Sequence, residues 1–487
     1  MVLHITDRYL WFPVAKANEE VKLHFYSDNK KFQELDIKLT TDQPDFIFAM
    51  DMSSFWGHDI EIKVGHESGI LEKLSCHGER PETKYSYRPE IHFTAEAGWI
   101  NDPNGLVFAD GVYHLYHQWN PYGTDWGNMH WGHAVSSDLI TWEIQPMAMK
   151  PDEYGTIFSG CGWQDKKNIA GFGENALLFF YTASGGNNQW SIEKGNNYTQ
   201  RLAISNDGGK ILQKKGLLLD CIKGENRDPK VFWHRESKGY VMVLFLDEYE
   251  FAIFRSTDLI HWEESQRFTA GKMRECPDPF ELKVEDRQDV KKWVFWSADG
   301  YYMIGSFDGY RFVPESDVLS AYDTVLAYAA QTYAGIGDRV ISVAWHRTSN
   351  DKGGFRGMMS IPVELSLRDT PDGLRISFQP VRELWERFTD VTELTGSDGT
   401  VEHKLSGHPV VAKIDWEMKV PAVLQVGETK IMFNKTDVPA IVIIDHGLVE
   451  YFSENGLVYG AVETEEYVLS KKVIARSVKN MKVFSRE

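Results

Sequence analysis

Three short motifs place carboxylates where they could do acid–base chemistry. They are Trp99-Ile-Asn-Asp-Pro-Asn-Gly105, Arg227-Asp-Pro229 and Glu275-Cys-Pro-Asp278. Carboxylates that share one water-accessible funnel repel one another, and burial raises some of their pKa values, which separates an ionised nucleophile from a protonated acid. Cleavage of a glycosidic bond requires such a pair. The candidates are Asp102, Asp228 and either Glu275 or Asp278.

A single Asp-Pro pair has a simpler structural explanation. Asp bonds the backbone that follows it and Pro fixes φ, so the pair often caps a turn. Here the pair occurs at residues 102, 228 and 278, and each time it leads into a strand-like segment. Three instances at equivalent places favour a shared functional position over three separate turns.

Residues that suit a sugar ligand lie around these carboxylates. Side-chain amides, hydroxyls and guanidinium groups hydrogen-bond sugar hydroxyls, and aromatic rings stack on sugar rings. Asn101, Gln118, Trp126 and the pair Phe158-Ser159 have side chains of these kinds. Each of them could equally be a packed or capping residue, and Trp131 is expected to be packed. Arg227 could keep Asp228 ionised or form only a surface salt bridge.

Metal and cofactor signals are weak in this sequence. The pairs His114/His117 and His130/His133 are each three residues apart in strand-patterned segments, so their side chains should leave opposite faces of a strand. We interpret them as packed or hydrogen-bonded histidines. The sequence has neither a Gly-rich phosphate loop nor a dinucleotide fingerprint. We expect neither a metal nor an organic cofactor.

The elements that must position these residues are predicted to be β-strands. Apolar and polar residues alternate through most of the chain, and the one convincing helix pattern is Val381 to Phe388, directly after Pro380. Ser137-Asp-Leu-Ile-Thr-Trp-Glu143 returns as Thr257-Asp-Leu-Ile-His-Trp-Glu263. A four-strand unit of roughly 50 to 60 residues, repeated about five times, predicts a β-propeller. A large β-sandwich with a chance recurrence is the alternative.

These patterns predict an all-β protein of several domains. A small N-terminal β-domain of unknown role is expected at residues 1–88, and a five-bladed propeller that carries the carboxylates at residues 89–368. A linker with a short helix is expected at residues 369–388, and a C-terminal β-sandwich with an Asn455-Gly456 hairpin turn at residues 389–487.

Composition excludes some partners and favours one compartment. The chain of 487 residues carries 52 basic and 71 acidic residues, a net charge of −19, which makes nucleic acid and anionic membranes poor partners. We see neither a membrane-spanning stretch nor a signal peptide, and the four cysteines lack a Cys-x-x-Cys pair. We expect a cytoplasmic protein as the chain is written, or a secreted one if a leader has been removed. The oligomeric state is left open.

The three motifs resemble glycoside hydrolase family 32, the invertase, inulinase and levanase group. Supporting stretches are Trp126-Gly-Asn-Met-His-Trp-Gly-His-Ala-Val-Ser136, Ile157-Phe-Ser-Gly160 and Ala203-Ile-Ser-Asn-Asp-Gly-Gly209. The resemblance covers about residues 88 to 487. It implies a five-bladed propeller followed by a β-sandwich, and retaining hydrolysis of β-fructofuranosides.

The resemblance also implies roles for the matching residues. Asp102 would be the nucleophile, Glu275 the general acid/base, and Asp228 the residue that holds sugar hydroxyls and stabilises the transition state. The fructose site would be lined by six substrate-binding residues: Asn101, Gln118, Trp126, Phe158, Ser159 and Arg227. Two departures concern Cys161, where the family has Ser, and Leu326-Ala327, where the family has an acidic-aromatic pair. Asp323 or Tyr322 could compensate for the second.

We therefore expect hydrolysis of β-fructofuranosidic bonds in fructans, fructo-oligosaccharides or sucrose. A fructosyltransferase would share every catalytic residue and is the main alternative. An inverting furanosidase of the arabinanase type would lack the full Trp99-Ile-Asn-Asp-Pro-Asn-Gly105 motif. A sugar-binding protein without activity would lack one of the carboxylates, and a protein-interaction propeller leaves the three carboxylates unexplained. Exo or endo action, β-2,1 or β-2,6 linkage and the role of the N-terminal domain stay open.

Overall fold

The computed structural model describes residues 1–65, 69–82, 88–285, 287, 289–351, 353–396, 398–417, 421–465 and 471–486. These residues are mostly β-strand. Their α-helices are α1 (Gln189–Lys194) and α2 (Arg382–Arg387), and their short 3-10 turns are Ser53–Phe55, Gly69–Lys73 and Glu454–Gly456. Within the described part of the chain, no helix has the length and apolar character needed to span a bilayer.

The N-terminal residues form a β-domain, as the alternating pattern predicts. Its seven strands are β1 (Val2–His4), β2 (Tyr9–Val14), β3 (Val21–Ser27), β4 (Lys30–Ile37), β5 (Phe46–Asp51), β6 (Asp59–Val64) and β7 (Ser75–His77). They pair as the sheets β1-β6-β3-β4 and β5-β2-β7. The apolar core between these sheets is continuous with that of the region that follows. This domain is therefore packed onto its neighbour. The residues just before its predicted end at 88, residues 83–87, lie outside the described ones.

Five antiparallel sheets follow one another along the chain. The first three are β8 (Gly98–Ala109), β9 (Val112–Asn120), β10 (His130–Ser136) and β11 (Glu143–Met149); β12 (Thr156–Asp165), β13 (Ala176–Ser184), β14 (Tyr198–Ser205) and β15 (Gln213–Leu219); and β16 (Arg227–His234), β17 (Gly239–Asp247), β18 (Glu250–Ser256) and β19 (Glu263–Thr269). Each is a meander of neighbouring strands, which is how propeller blades are built.

The last two sheets carry short additional strands. The fourth has β20 (Asp278–Lys283), β21 (Lys291–Trp296), β22 (Tyr301–Phe307), β23 (Phe312–Pro314) and β24 (Leu319–Ser320). The fifth has β25 (Ala327–Thr332), β26 (Ile341–His346), β28 (Met358–Met359), β29 (Val363–Thr370) and β30 (Gly373–Pro380), whereas β27 (Phe355–Arg356) joins the first sheet. The amide of Ala334, just after β25, donates to the carbonyl of Leu106 in β8. The fifth sheet therefore meets the first, and the ring closes.

The recurring Asp-Leu-Ile motif builds the same turn in two sheets. Asp138 accepts hydrogen bonds from the amides of Ile140 and Thr141 between β10 and β11, and Asp258 does the same between β18 and β19. The Leu that follows each Asp has a positive φ, 65° and 67°. The sequence repeat therefore marks a structural repeat.

The end of the fifth sheet corrects one predicted boundary. Residues 369–380, assigned to the linker 369–388, belong to the hairpin β29–β30, which turns at Thr370–Gly373. The pattern on each side of that turn alternates with period two, so both arms extend the sheet. The linker is reduced to the segment around α2, where a helix was predicted.

A β-sandwich completes the chain. Its strands are β31 (Asp390–Leu394), β32 (Thr400–Lys404), β33 (Val410–Trp416), β34 (Ala422–Val426), β35 (Thr429–Phe433), β36 (Ala440–Asp445), β37 (Leu448–Ser453), β38 (Val458–Glu463), β39 (Lys472–Arg476) and β40 (Val478–Ser485). They form the sheets β31-β40-β33-β36-β37-β38 and β32-β39-β34-β35, and the Asn455-Gly456 turn joins β37 to β38 as predicted. The all-β propeller followed by a sandwich is confirmed. The count of five blades stays a prediction, with which the five sheets agree.

A buried ionic cluster joins the sandwich to the sheets before it. His92 Nδ1 lies 2.9 Å from Asp445 Oδ2, and His92 Nε2 lies 3.4 Å from Glu450 Oε2. His346 and Tyr459 also hydrogen-bond Glu450. Burial by itself lowers the pKa of His92, but the two carboxylates outweigh it and raise this pKa to about 9. Burial also disfavours the Glu450 carboxylate, yet His346 and His92 bring its pKa down to about 2.

The cluster predicts a pH window for stability. His92 stabilises the fold fully below its ordinary pKa of 6.5, and that contribution is lost as the pH rises towards 9. Glu450 stabilises fully above its ordinary pKa of 4.5, and that contribution is lost as the pH falls towards 2. Glu450→Gln should lower the free energy of unfolding by about 3 kcal/mol and flatten the acid limb of a plot of Tm against pH. Glu402→Gln, which weakens an exposed pair with Lys472, is the control. An acid limb unchanged by Glu450→Gln would contradict the assignment.

Candidate active site

Five of the predicted site residues, Asn101, Asp102, Phe158, Ser159 and Asp228, lie on β-bulges in the first strands of their sheets. In each bulge, two residues face one residue of the partner strand. The pairs are Asn101-Asp102 opposite Gln118, Phe158-Ser159 opposite Thr182, Asp228-Pro229 opposite Leu244, and Ala329-Ala330 opposite Ala344. A bulge interrupts the ladder and re-aims side chains. Repeated in four sheets, it turns these residues towards one another.

Asp102 is held by two hydrogen-bond donors. Ser159 Oγ donates to Asp102 Oδ2 at 2.5 Å, and Asn101 Nδ2 donates to Oδ1 at 3.0 Å. Gln118 continues this network, since its Nε2 donates to Ser159 Oγ at 2.8 Å and its Oε1 accepts from Asn101. Burial raises the pKa of Asp102, and the bonds from Ser159 and Asn101 oppose that rise because they favour the carboxylate.

Asp228 is buried more deeply and has a strained backbone. Its φ is 65°, a region that costs a non-glycine residue free energy and that is frequent at functional sites. Its amide donates to Thr182 Oγ1, and its Oδ2 accepts from the amide of Cys276 at 3.0 Å. Burial raises the pKa of Asp228 to about 7, against the opposing effect of Arg227 and with help from the charge of Asp102.

The two aspartates meet at one thiol. Cys276 Sγ lies 3.7 Å from Asp102 Oδ2 and 3.6 Å from Asp228 Oδ2. Two buried carboxylates this close cannot both be ionised at low cost, so one proton between them is favoured near neutral pH. Asp102 has hydroxyl and amide donors that favour its charged form. The arrangement therefore suits an ionised Asp102 beside a partly protonated Asp228.

Glu275 lies nearer the surface than either aspartate. Arg227 Nη2 donates to its Oε1 at 2.9 Å, and the Tyr328 hydroxyl donates to its Oε2 at 2.8 Å. Its side chain is 26% exposed, against 4% for that of Asp228. Glu275 and Cys276 both have positive φ, 55° and 41°. This strained turn presents the carboxyl group at the rim, where a leaving group would depart.

Aromatic residues line the approach to the carboxylates. Trp126 meets Phe158 edge to face at 6.0 Å, and Phe158 meets Tyr198 in the same way at 5.7 Å. The Phe158 carbonyl accepts from the indole of Trp131, which is fully buried and packed as predicted. We call Trp126, Phe158 and Tyr198 the aromatic row. All nine predicted site residues thus belong to one connected group.

The position of Asp278 shows that the prediction of three structurally equivalent Asp-Pro pairs is wrong. It lies in the regular ladder opposite Trp296, beyond the strained turn at Glu275, whereas Asp102 and Asp228 lie in bulges. Its carboxylate accepts from Lys230 Nζ at 3.0 Å and from the amide of Thr332 at 2.6 Å. Because Asp102 and Asp228 lie in bulges and Asp278 does not, the same Asp-Pro motif occupies different structural positions in these strands. Asp278 links β20 to β16 and β25.

The histidine pairs are packed, as their spacing indicates. His114 Nδ1 lies 3.1 Å from His133 Nε2, and Tyr116 stacks on His133. Burial lowers the pKa of His117 and of His130 to about 3, which keeps both neutral. Across the described ranges, no group of three or more His, Cys, Asp or Glu side chains is arranged to hold a metal ion.

Sequence reasoning missed two residues of the site. Tyr328 and Cys276 touch the carboxylates, and both stand in or beside the quoted stretches, but their types alone give no role. Asp323 and Tyr322, the residues proposed to compensate for Leu326-Ala327, make other contacts. Asp323 accepts from the Tyr451 hydroxyl at 2.5 Å, and Tyr322 packs against aromatic rings.

A comparison with known protein families identifies the family of this chain. Residues 92–380 match the model described as the N-terminal domain of glycosyl hydrolases family 32. The chain belongs to glycosyl hydrolase family 32. The family resemblance drawn from the three motifs is thereby confirmed, and the matched range ends at the last residue of β30, where the fifth sheet ends.

Curated relatives of this family 32 chain include a levanase of Bacillus subtilis. It is 38% identical over 330 residues, which cover 61% of this chain and 47% of the levanase. An extracellular exo-inulinase of Aspergillus niger is 30% identical over 387 residues, 66% of this chain and 70% of that protein. The chain spans about half the length of the levanase and of an invertase of Debaryomyces hansenii.

Solved structures of family 32 proteins share the fold. A fructofuranosidase of Schwanniomyces occidentalis, complexed with fructosylnystose, has a TM-score of 0.73 and 23% identity. The match covers 84% of this chain and 99% of that one. An exo-inulinase of Aspergillus awamori gives a TM-score of 0.71 at 22% identity. At this identity the likeness supports the propeller and sandwich fold.

Proposed function

We propose that this chain is a retaining glycoside hydrolase that cleaves β-fructofuranosidic bonds in fructans, fructo-oligosaccharides or sucrose. The observation that carries the proposal is that three neighbouring carboxyl groups have different environments. Asp102 is buried and accepts a hydrogen bond from Ser159, and Asp228 contacts the same Cys276 thiol as Asp102. Glu275 lies at the rim between Arg227 and Tyr328. Family membership and the levanase, invertase and inulinase relatives support the same reaction.

In the first step, Asp102 attacks the anomeric carbon of the fructosyl unit. The carbon–oxygen bond to the leaving group breaks as Glu275 gives its proton to that oxygen, and a covalent fructosyl-enzyme forms. Arg227 and Tyr328 each hold one oxygen of Glu275, which fixes the direction of its carboxyl group. The aromatic row supplies a surface for the sugar ring.

In the second step, water replaces the leaving group. Glu275, now ionised, takes a proton from the water as the water attacks the anomeric carbon, and Asp102 departs as a carboxylate. Asp228 does not form a bond to the sugar. Its position beside Asp102 suits hydrogen bonds to sugar hydroxyls that strengthen as positive charge develops on the ring.

Incubation with sucrose, inulin and levan, followed by chromatography of the products, tests this function. We expect fructose or short fructans from at least one of the three, and no product with Asp102→Asn as the control for contaminating activity. Free fructose alone indicates exo action, and a ladder of oligomers indicates endo action. Lengthened or cyclic products would indicate fructosyl transfer and contradict hydrolysis. No product from any of the three substrates would contradict the proposed function.

A further inference from the structure

The N-terminal domain contacts two loops at the rim of the candidate active site. We call residues 121–129, between β9 and β10, the Trp126 loop. We call residues 185–197, the connection between β13 and β14 that contains α1, the Trp190 loop. Hydrogen bonds from strand β4 reach both loops. The domain lies outside residues 92–380, which match the family model. Family membership therefore does not explain what it does.

Asp36 in β4 pairs with the Trp126 loop. Its amide donates to Asn128 Oδ1 at 2.8 Å, and its carbonyl accepts from Asn128 Nδ2 at 2.8 Å. The side chain of Asn128 thus takes the place of a neighbouring strand. Lys38, just after β4, lies 3.5 Å from Asp125 in the same loop. Two hydrogen bonds and one ion pair thus hold the side chains of Asn128 and Asp125, on either side of Trp126, against the N-terminal domain.

The base of the Trp126 loop is buried in the core of the N-terminal domain. Tyr122 is 2% exposed and packs edge to face against Phe48 at 5.1 Å and Phe12 at 6.3 Å. Gln33 Nε2 lies 3.4 Å from the Tyr122 hydroxyl and 3.2 Å from His130 Nε2. The N-terminal domain therefore packs directly against the base of the Trp126 loop.

Glu34 in β4 holds the Trp190 loop. Its Oε1 accepts from the amides of Gln189 and Trp190 at 2.7 and 3.3 Å. Its Oε2 is paired with Lys31 at 2.9 Å and lies 3.2 Å from His24. Glu34 is 5% exposed, and a buried carboxylate with this many donors is fixed in one orientation.

The two loops support opposite ends of the aromatic row. Trp126 is 53% exposed, so its position depends on the loop backbone and not on burial of its own side chain. At the other end, Asn187 in the Trp190 loop donates to the Tyr198 hydroxyl at 2.6 Å. A single strand of the N-terminal domain, β4, is therefore hydrogen-bonded to both the Trp126 loop and the Trp190 loop, which hold the two ends of the aromatic row.

We propose that the N-terminal domain is part of the substrate site, and that Glu34 and Asp36 in β4 position the aromatic row for binding of the fructosyl unit. This inference rests on the proposed function. Glu34 is a positioning residue, because it acts through the Trp190 loop and does not reach the reacting atoms. Its loss should weaken substrate binding and leave the chemical step, carried by Asp102 and Glu275, unchanged.

The test compares three variants of the whole chain by kinetics and by amide hydrogen exchange. Glu34→Ala removes the oxygen that accepts from both loop amides, Glu34→Gln keeps an oxygen that can accept from them, and Asp51→Ala is the matched control. Asp51 also pairs with a cation, Arg8, in the same domain, and both described hydrogen-bond partners of its carboxylate, Arg8 and Ser53, lie in that domain. We expect Glu34→Ala to raise KM about tenfold at constant kcat.

Hydrogen exchange separates failure of this inference from failure of the proposed function. In Glu34→Ala, residues 185–197 should exchange faster than in the native chain, whether or not any fructan is cleaved. Glu34→Gln should restore both KM and exchange most of the way, and Asp51→Ala should change neither. Native KM and native exchange in Glu34→Ala would overturn the inference while leaving the catalytic assignment in place. An equal loss in Asp51→Ala and Glu34→Ala would also overturn it, because general destabilisation would then be the cause.

Discussion

Asp102→Asn is expected to lower kcat by at least about three orders of magnitude while the fold stays intact. The amide has the shape of the carboxylate, but its single oxygen can accept from only one of Ser159 and Asn101, and the amide cannot form the fructosyl-enzyme bond. The measurement is kcat and KM on the best substrate, together with Tm. Turnover close to that of the native chain would refute the assignment of Asp102 as nucleophile.

A second readout of Asp102→Asn does not depend on activity. The charge of Asp102 contributes to the raised pKa of Asp228, which is about 7. Removing that charge should lower the pKa of Asp228, which a carboxyl titration followed by infrared spectroscopy would detect. The same titration on Asp278→Asn serves as the control, because Asp278 is paired with Lys230 instead. An unchanged Asp228 pKa in Asp102→Asn would mean that the two carboxylates are not coupled.

Glu275→Ala is expected to impair natural substrates far more than an activated aryl β-fructofuranoside. A sugar leaving group needs a proton on its oxygen, whereas an activated phenolate leaves without one. The side chain at the rim, fixed by Arg227 and Tyr328, is placed to give that proton. The measurement is the ratio of kcat/KM between the variant and the native chain for both substrates. We expect a loss about a hundredfold larger for the sugar leaving group.

Asp278→Ala provides the contrast for that experiment. Asp278 is bonded to Lys230 and Thr332 and is fully buried, so its loss should lower Tm and affect both substrates alike. If the dependence on the leaving group is found with Asp278→Ala and not with Glu275→Ala, the acid assignment fails. The roles of Asp102 and Asp228 would not depend on that result.

Much of the site could be predicted from the sequence because its residues stand in short, ordered motifs. Asn101, Asp102, Arg227 and Asp228 are neighbours in pairs, and a repeat of β-meanders brings the starts of first strands to one funnel. The repeat itself was visible because the Asp138 and Asp258 turns use the same residues for the same hydrogen bonds.

Other features depend on register and on distant contacts that spacing does not encode. A β-bulge adds one residue to a strand, so the Asp-Pro pair at 278 looks equivalent to the others in sequence although it lies in a regular ladder. Tyr328 reaches Glu275 from another sheet, and Glu34 reaches the amide of Gln189 from another domain. These contacts are set by the packing of whole sheets, and the pattern within each strand does not show them.

The anomeric form of the first product tests the central claim most directly. Attack by Asp102 and then by water inverts the anomeric carbon twice, so the configuration of the substrate is retained. Proton NMR during the first moments of hydrolysis, before the released sugar equilibrates, should show β-fructofuranose as the initial product. Initial α-fructofuranose would mean a single displacement by water and would contradict the covalent role of Asp102.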